Sequence, residues 1–190
     1  MSYVCDMEDT RQRIIDCAIA TFATHSSATL DTVADAASIT RRTLNRYFSD
    51  KKDLLEACTR EMLTTCEAAM TQAYQSSDHP VTQLERMLYA GIDCNYKFLF
   101  LTKLQVQTPP PSSPPLTQGY DTIKDKWFTL ITQLQGQGLI SQQLSIAWIF
   151  HLFGGMIHTT VHALDSGTVA RQDLKTYAWY SFSRSIGLQG

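Results

Sequence analysis

The sequence predicts an all-α fold, and three observations carry that reading. Apolar residues recur at helical spacing along nearly the whole chain, no run of alternating Val, Ile, Thr and Tyr reads as a strand, and the breaks between apolar stripes hold residues that cap or stop helices. With 190 residues, 44% hydrophobic and 18% charged, 9 Gly and 6 Pro, the chain is neither disordered nor collagen-like, and its length allows one domain or a small module joined to a larger one. A net charge of −2, from 16 basic and 18 acidic residues, excludes a globally polybasic surface. Any nucleic-acid site must therefore be local.

The first helix is expected from about Asp9 to Thr24, with Ile14, Ile15, Ala18, Ile19 and Phe22 on one stripe, and His25-Ser26-Ser27 ends it. Thr29 is placed to cap a short helix holding Leu30, Val33, Ala34 and Ala37; Ser38-Ile39-Thr40 breaks it before a second short helix, Arg41 to Phe48. Ser49 and Asp50 offer caps for a long helix from Lys51 to about Gln75, whose inner face carries Leu54, Leu55, Cys58, Met62, Cys66, Ala69 and Ala73. Pro80 suits the first turn of the next helix, which Leu84, Met87, Leu88, Ile92 and Leu99 carry to about Val106. Five of the six prolines then fall between Thr108 and Pro115, a segment that cannot continue a helix and reads as a connector. Helices resume at about 119–135, 141–164 and 169–186, with Gly136-Gln137-Gly138 as the first break, giving about nine in all.

Five Cys at 5, 17, 58, 66 and 94, an odd number with no C-x-x-C pair, read as free thiols in a reducing cytoplasm. The acidic start MSYVCDMEDT has neither the basic nor the apolar part of a secretory signal, so the protein is expected to stay in the cytoplasm. No Asp, Glu, Lys or Arg occurs between Trp127 and Leu164, and the mostly apolar stretch from Leu144 to Leu164 is as long as a bilayer is thick. It holds His151, His158 and His162 and lacks flanking cations and aromatic belts, so a buried helix at a subunit contact explains it better than a membrane span.

The two short helices carry the chemistry. In a helix-turn-helix the second helix enters the major groove, so one face must be anchored by apolar residues while the other offers donors to bases and phosphates. Leu44 and Phe48, four apart, form such an anchor for packing on Val33, Ala34 and Ala37; Arg41, Arg42, Thr43, Asn45, Arg46 and Tyr47 surround the exposed side. From Ile39 to Lys52 there are five basic residues and one acidic, against two basic and six acidic from Met1 to Ser38, so the basic patch is as local as the overall charge requires. An isolated basic run would more often be a solvated face; the capped helix, tight turn and following Lys at the start of a long helix argue for DNA.

That arrangement, TLDTVADAASITRRTLNRYFSDKKDLL from Thr29 to Leu55, resembles the DNA-binding domain of the tetracycline-repressor (TetR) family of bacterial regulators. The close resemblance covers about residues 10–56. It implies a three-helix helix-turn-helix domain over 1–52, followed by a helical ligand-binding and dimerisation domain over 53–190. Carried over position by position, it implies that Thr29 meets a phosphate at the start of the second helix. Thr40, Arg41, Arg42, Thr43 and Arg46 then face bases or backbone, and Tyr47 and Lys51 face phosphates, the latter helped by the positive end of its helix. Two departures stand out. Ser38 occupies a turn position where the family usually has Gly, at a cost of up to about 1 kcal/mol if the backbone there needs positive φ. Asn45 stands where the family favours Tyr, and Arg42 where a small residue is common; Asn can read adenine and Arg guanine, which points to a shifted operator sequence.

The resemblance further implies a homodimer through the helices at about 141–164 and 169–186, a palindromic double-stranded operator, and a small-molecule effector whose binding releases DNA. His151, Gly155, His158 and His162 form one stripe and Leu174, Tyr177, Ala178, Ser181 and Ser185 another, which suits such a seam. Phe98, Trp127, Phe128, Trp148, Phe150 and Phe153 lie where the family builds its pocket, and the scarcity of charge there points to an apolar or aromatic effector. No cofactor or resident metal is expected, and no nucleophile elbow, phosphate loop or shared-face carboxylate pair points to an enzyme. The competing readings are a helical bundle that senses metal through His158 and His162, redox state through Cys58, Cys66 or Cys94, or pH through its histidines, and a helical enzyme or interaction protein.

Overall fold

The computed structural model describes residues 2–25, 27–94, 97 and 118–188. Among these the chain is helical and contains no strand: α1 (Ser2–Thr24), α2 (Leu30–Ala36), α3 (Arg41–Tyr47), α4 (Lys51–Gln75), α5 (Pro80–Cys94), α6 (Gln118–Gly136), α7 (Ile146–Ser166) and α8 (Leu174–Ser185). Eight helices stand against about nine expected. The proline-rich segment and the expected continuation of the fifth helix to Val106 lie outside the described residues.

The helices form two connected layers of packing. α1 lies against α2 and against α4, while α4 continues into a bundle with α5, α6, α7 and α8, so α4 is shared by both parts. The stripe Ile14, Ile15, Ala18, Ile19 and Phe22 is buried, as its spacing predicts. On α4 the buried residues are Leu54, Ala57, Cys58, Met62, Cys66, Met70 and Ala73; Leu55 and Ala69, expected inside, are half-buried at the edge of the stripe. Ile149, Phe153, Ile157, Thr160 and Val161 form the inner face of α7, and Leu174, Ala178 and Phe182 that of α8.

Boundaries moved where caps decide them. α1 begins at Ser2 rather than Asp9. α7 begins at Ile146 rather than Ser141 because Ser145, extended at φ −66° and ψ 148°, accepts the Trp148 N–H on its hydroxyl. Residues 141–144 are instead tied down by Gln135, whose side-chain amide donates to the Ser141 and Leu144 carbonyls at 2.9 and 2.8 Å. α8 begins at Leu174 rather than Val169.

Three helices close with the same turn. In each, a residue at positive φ donates its N–H to the carbonyl three positions back while the next residue reaches five back, the paired bonds of a Schellman motif. At α6 the pair is Gly138 to Gln135 and Leu139 to Leu134; at α8 it is Gly187 to Arg184 and Leu188 to Ser183. At α2 it is Ser38 to Asp35 and Ile39 to Ala34. The positive-φ residue is Gly in two of them and Ser38, at φ 55°, in the third. Ser38 thus holds a conformation that favours glycine, at up to about 1 kcal/mol.

Candidate nucleic-acid interface and effector cavity

α2 and α3 are seven residues each, too short to persist without packing and caps. Both have them. Thr29 caps α2, its hydroxyl accepting the Thr32 N–H at 3.3 Å while the Thr32 hydroxyl accepts the Thr29 N–H at 3.3 Å. Thr40 caps α3 by accepting the Thr43 N–H at 3.1 Å, and the two hydroxyls lie 2.9 Å apart. Leu44 and Phe48 are buried in the same core cluster as Val33, Ala34 and Ala37, the predicted anchor. Arg11 on α1 adds its guanidinium over the Phe48 ring, 5.2 Å from the centroid, a support that no local sequence pattern signals.

With that anchor inside, α3 turns Arg42, Asn45 and Arg46 to the exposed side and leaves Arg41, Thr43 and Tyr47 half-buried. Thr43 shares its hydroxyl with Thr40, and the Arg41 guanidinium lies 3.7 Å from the Asp31 carboxylate of α2. This exposed pair contributes little to stability, and its arginine stays available to a competing phosphate or base. Lys51 opens α4 and reaches back to the α1–α2 connection: its ammonium donates to the Ala28 carbonyl at 2.7 Å and sits 5.1 Å from the centre of the Phe22 ring. That places it one residue from Thr29, and the ammonium has two further protons for an anion. Eight of the nine residues expected at DNA are thus on α3, at its cap or at the α2 cap, and the ninth, Lys51, is carried to the same end of the molecule by α4.

The remainder of the expected effector site is an aromatic cluster between α6 and α7. Trp127 is 2% exposed, and its ring meets Phe128, Phe150 and Phe153 edge-on with centroids 5.5, 5.2 and 5.5 Å away. Met70, Met87, Ile123, Lys124, Trp127, Phe150 and Phe153 line a cavity of about 30 Å³, enough for one water-sized occupant. The Trp127 indole N–H is buried there without a hydrogen-bond partner among the described residues. Phe98 lies outside the described residues. Trp148 stands apart from the expected group: it is 55% exposed on the outer face of α7, because five residues separate it from Phe153, about 140° around a helix.

The residues expected at a subunit seam lie on α7 and α8. His151, Gly155, His158 and His162 are all exposed, as are Tyr177, Ser181 and Ser185; Leu174 and Ala178, expected on the same surface, face the core. Trp148, Tyr177 and Tyr180 are 55, 56 and 66% exposed, and a Cβ at Gly155 would meet no atom within 4 Å. Among the described residues no group of three His, Cys, Asp or Glu is placed to hold a metal, and no helix is long and apolar enough to cross a membrane.

The comparisons with known proteins bear on this geometry. The family described as bacterial regulatory proteins, tetR family, matches residues 14–58, the span from the α1 stripe through α2 and α3 into α4. Over those residues the chain is similar to that family. The HTH-type transcriptional repressor LfrR of Mycolicibacterium smegmatis is 33% identical over 94 residues, a match that spans about half of each protein (50% of this chain and 50% of LfrR). The solved structure of LfrR in complex with proflavine is 23% identical, with TM-score 0.65 over 97% of this chain and 99% of that one. The ketosteroid transcriptional regulator KstR2 of Mycobacterium tuberculosis is 16% identical, with TM-score 0.73 over 94% and 95%. These structures share the all-helical fold of this chain over nearly its whole length.

Proposed function

We propose that the protein is a DNA-binding transcriptional regulator, a ligand-responsive repressor that binds a palindromic operator as a homodimer in the cytoplasm. The observation that carries this reading is the exposed row Arg42, Asn45 and Arg46 on a capped helix whose opposite face, Leu44 and Phe48, is locked into the core. Arg bidentate to guanine and Asn to adenine are the contacts such a helix makes in a major groove. Residues 1–52 then act as the reading unit and 53–190 as the unit that pairs two copies and takes the effector. Pairing through α7 and α8 sets the spacing of the two recognition helices, and two half-sites about 34–36 Å apart are what a dimer of this kind reads.

The effector reading rests on the Trp127 cluster. LfrR is solved with proflavine, a planar aromatic, and the present cavity is walled by Trp127, Phe150 and Phe153 with flexible Met70 and Met87 beside them. A small aromatic effector would displace those methionines and favour a different spacing of the recognition helices, a shift of population with no covalent chemistry by the protein. We assign no enzymatic activity.

The test is binding of the purified protein to duplexes that flank its own coding region, across a salt titration. The expected result is tight binding to a palindrome with a steep loss on adding salt. Arg46→Ala is expected to weaken it, and equal binding of this variant and the wild type would remove α3 from the interface.

A further inference from the structure

The cavity beside Trp127 has side-chain walls that donate hydrogen bonds and accept none. Of the seven side chains that line it, five are apolar, and the two with polar hydrogens, Trp127 and Lys124, are donors only. They stand three apart on α6, so they share one face of that helix. The Trp127 indole N–H is buried and has no hydrogen-bond partner among the described residues. The Lys124 ammonium is in no ion pair among those residues either. It lies 5.9 Å from the centroids of the Phe128 and Phe150 rings, which are 5.5 Å from each other.

A buried donor without an acceptor is uncommon in a folded protein, because it has given up its bond to water and received none in return. The phenylalanine rings around Trp127 do not replace that bond, since an aromatic face accepts an N–H only weakly. Lys124, half-buried over two rings and without a counter-ion, is likewise short of its strongest kind of partner. One group makes good both shortfalls: a negatively charged oxygen acceptor. The rest of the lining sets the body that carries it. Phe150 and Phe153 offer ring surfaces, and the unbranched side chains of Met70 and Met87 can re-pack around an occupant larger than the present volume of about 30 Å³. A cationic aromatic would find no acceptor oxygen or nitrogen on any of the seven side chains and would meet Lys124 as a like charge.

We propose that the effector is a planar aromatic anion, a ring system carrying a carboxylate, whose oxygens accept the Trp127 N–H and pair with the Lys124 ammonium. The ring enters against Phe150 and Phe153 as Met70 and Met87 turn aside, and binding is non-covalent throughout. Trp127 then selects for an acceptor and Lys124 for negative charge, which makes them the residues that set specificity in a cavity whose other walls are indifferent to charge. This inference rests on the effector reading proposed above for its location; the sign of the ligand's charge is its own claim.

The experiment titrates the full-length protein by calorimetry with three probes that share a ring system and differ in one substituent: 2-naphthoate, 2-naphthamide and 2-naphthylmethylammonium. The first is an anionic acceptor, the second a neutral acceptor and the third a cation with no acceptor. The expected order is naphthoate tightest, naphthamide about tenfold weaker and the ammonium weakest. Lys124→Met is expected to bring naphthoate down to the level of naphthamide. Trp127→Phe, which keeps a ring and removes the N–H, is expected to weaken both acceptor probes by about tenfold. Each variant is checked for the wild-type thermal midpoint; if Trp127→Phe unfolds, Lys124→Met, at a half-buried position, decides the charge by itself. Equal binding of the three probes, the ammonium binding tightest, or undiminished naphthoate binding by Lys124→Met overturns the proposal and leaves an aromatic effector site standing. Binding of none of the three removes the effector reading of this cavity together with the proposal.

Discussion

The exposed faces of α3 and of α7 with α8 lie at opposite ends of the chain and are built from opposite chemistry. On α3 the outward residues are Arg42, Asn45 and Arg46, donors and fixed cations held up by a short helix with capped ends. On α7 and α8 they are Trp148, Tyr177 and Tyr180 with three imidazoles and a glycine whose missing side chain no atom of the same chain explains. The first surface suits a polyanion, which is wet and repels apolar groups. The second suits another protein surface of the same kind, where aromatic side chains carry most of the contact energy and a glycine lets two backbones approach. A regulator that reads a palindrome needs both, one for each copy's half-site and one to hold the copies together.

That contrast can be broken at either end. The largest expected effect is on the anchor: Phe48→Ala is predicted to destabilise the N-terminal unit by about 3–5 kcal/mol, because the ring fills a core site that the remaining helices close only partly. Urea unfolding followed by circular dichroism checks it, and a loss under ~1 kcal/mol would mean α3 does not depend on that anchor. Next is the seam. Tyr180→Asp puts a charge on the exposed face of the proposed contact and is predicted to cost at least about 2 kcal/mol of dimerisation, seen as a shift to monomer in sedimentation equilibrium. An unchanged dimer would move the subunit contact elsewhere.

Arg42→Ala and Arg46→Ala sharpen the other side. Each is predicted to lose about 1–3 kcal/mol of operator binding and to leave sedimentation unaltered. A change in the salt slope without a change in base preference would make that arginine a phosphate contact. The smallest effect is at the turn. Ser38→Gly relieves the positive-φ cost and is predicted to stabilise the protein by about 0.5–1 kcal/mol, read as a rise of a few degrees in the thermal midpoint. A fall instead would show that the Ser38 side chain contributes more than its backbone conformation costs.

The recognition unit was legible because its signals are local. Thr29, Thr40 and Asp50 cap the helices that follow them, and the four-residue spacing of Leu44 and Phe48 already places the arginines outside. The aromatic cluster was half legible: Trp127, Phe128, Phe150 and Phe153 do meet, but being aromatic does not tell which side of α7 a residue takes, and Trp148 took the outer one. The seam shows the same limit, since Leu174 and Ala178 share a periodicity with Tyr177 and Ser181 and yet lie inside.

The most direct test of the account is selection of the wild-type protein and the Arg46→Ala variant on a pool of random duplexes at a fixed salt concentration. The account predicts that the wild type enriches one palindrome, with half-site centres one helical turn or a multiple of it apart, and that the variant relaxes the base preference at one position in each half. Enrichment of no sequence by the wild type, or the same sequence with equal strength by the variant, would contradict it.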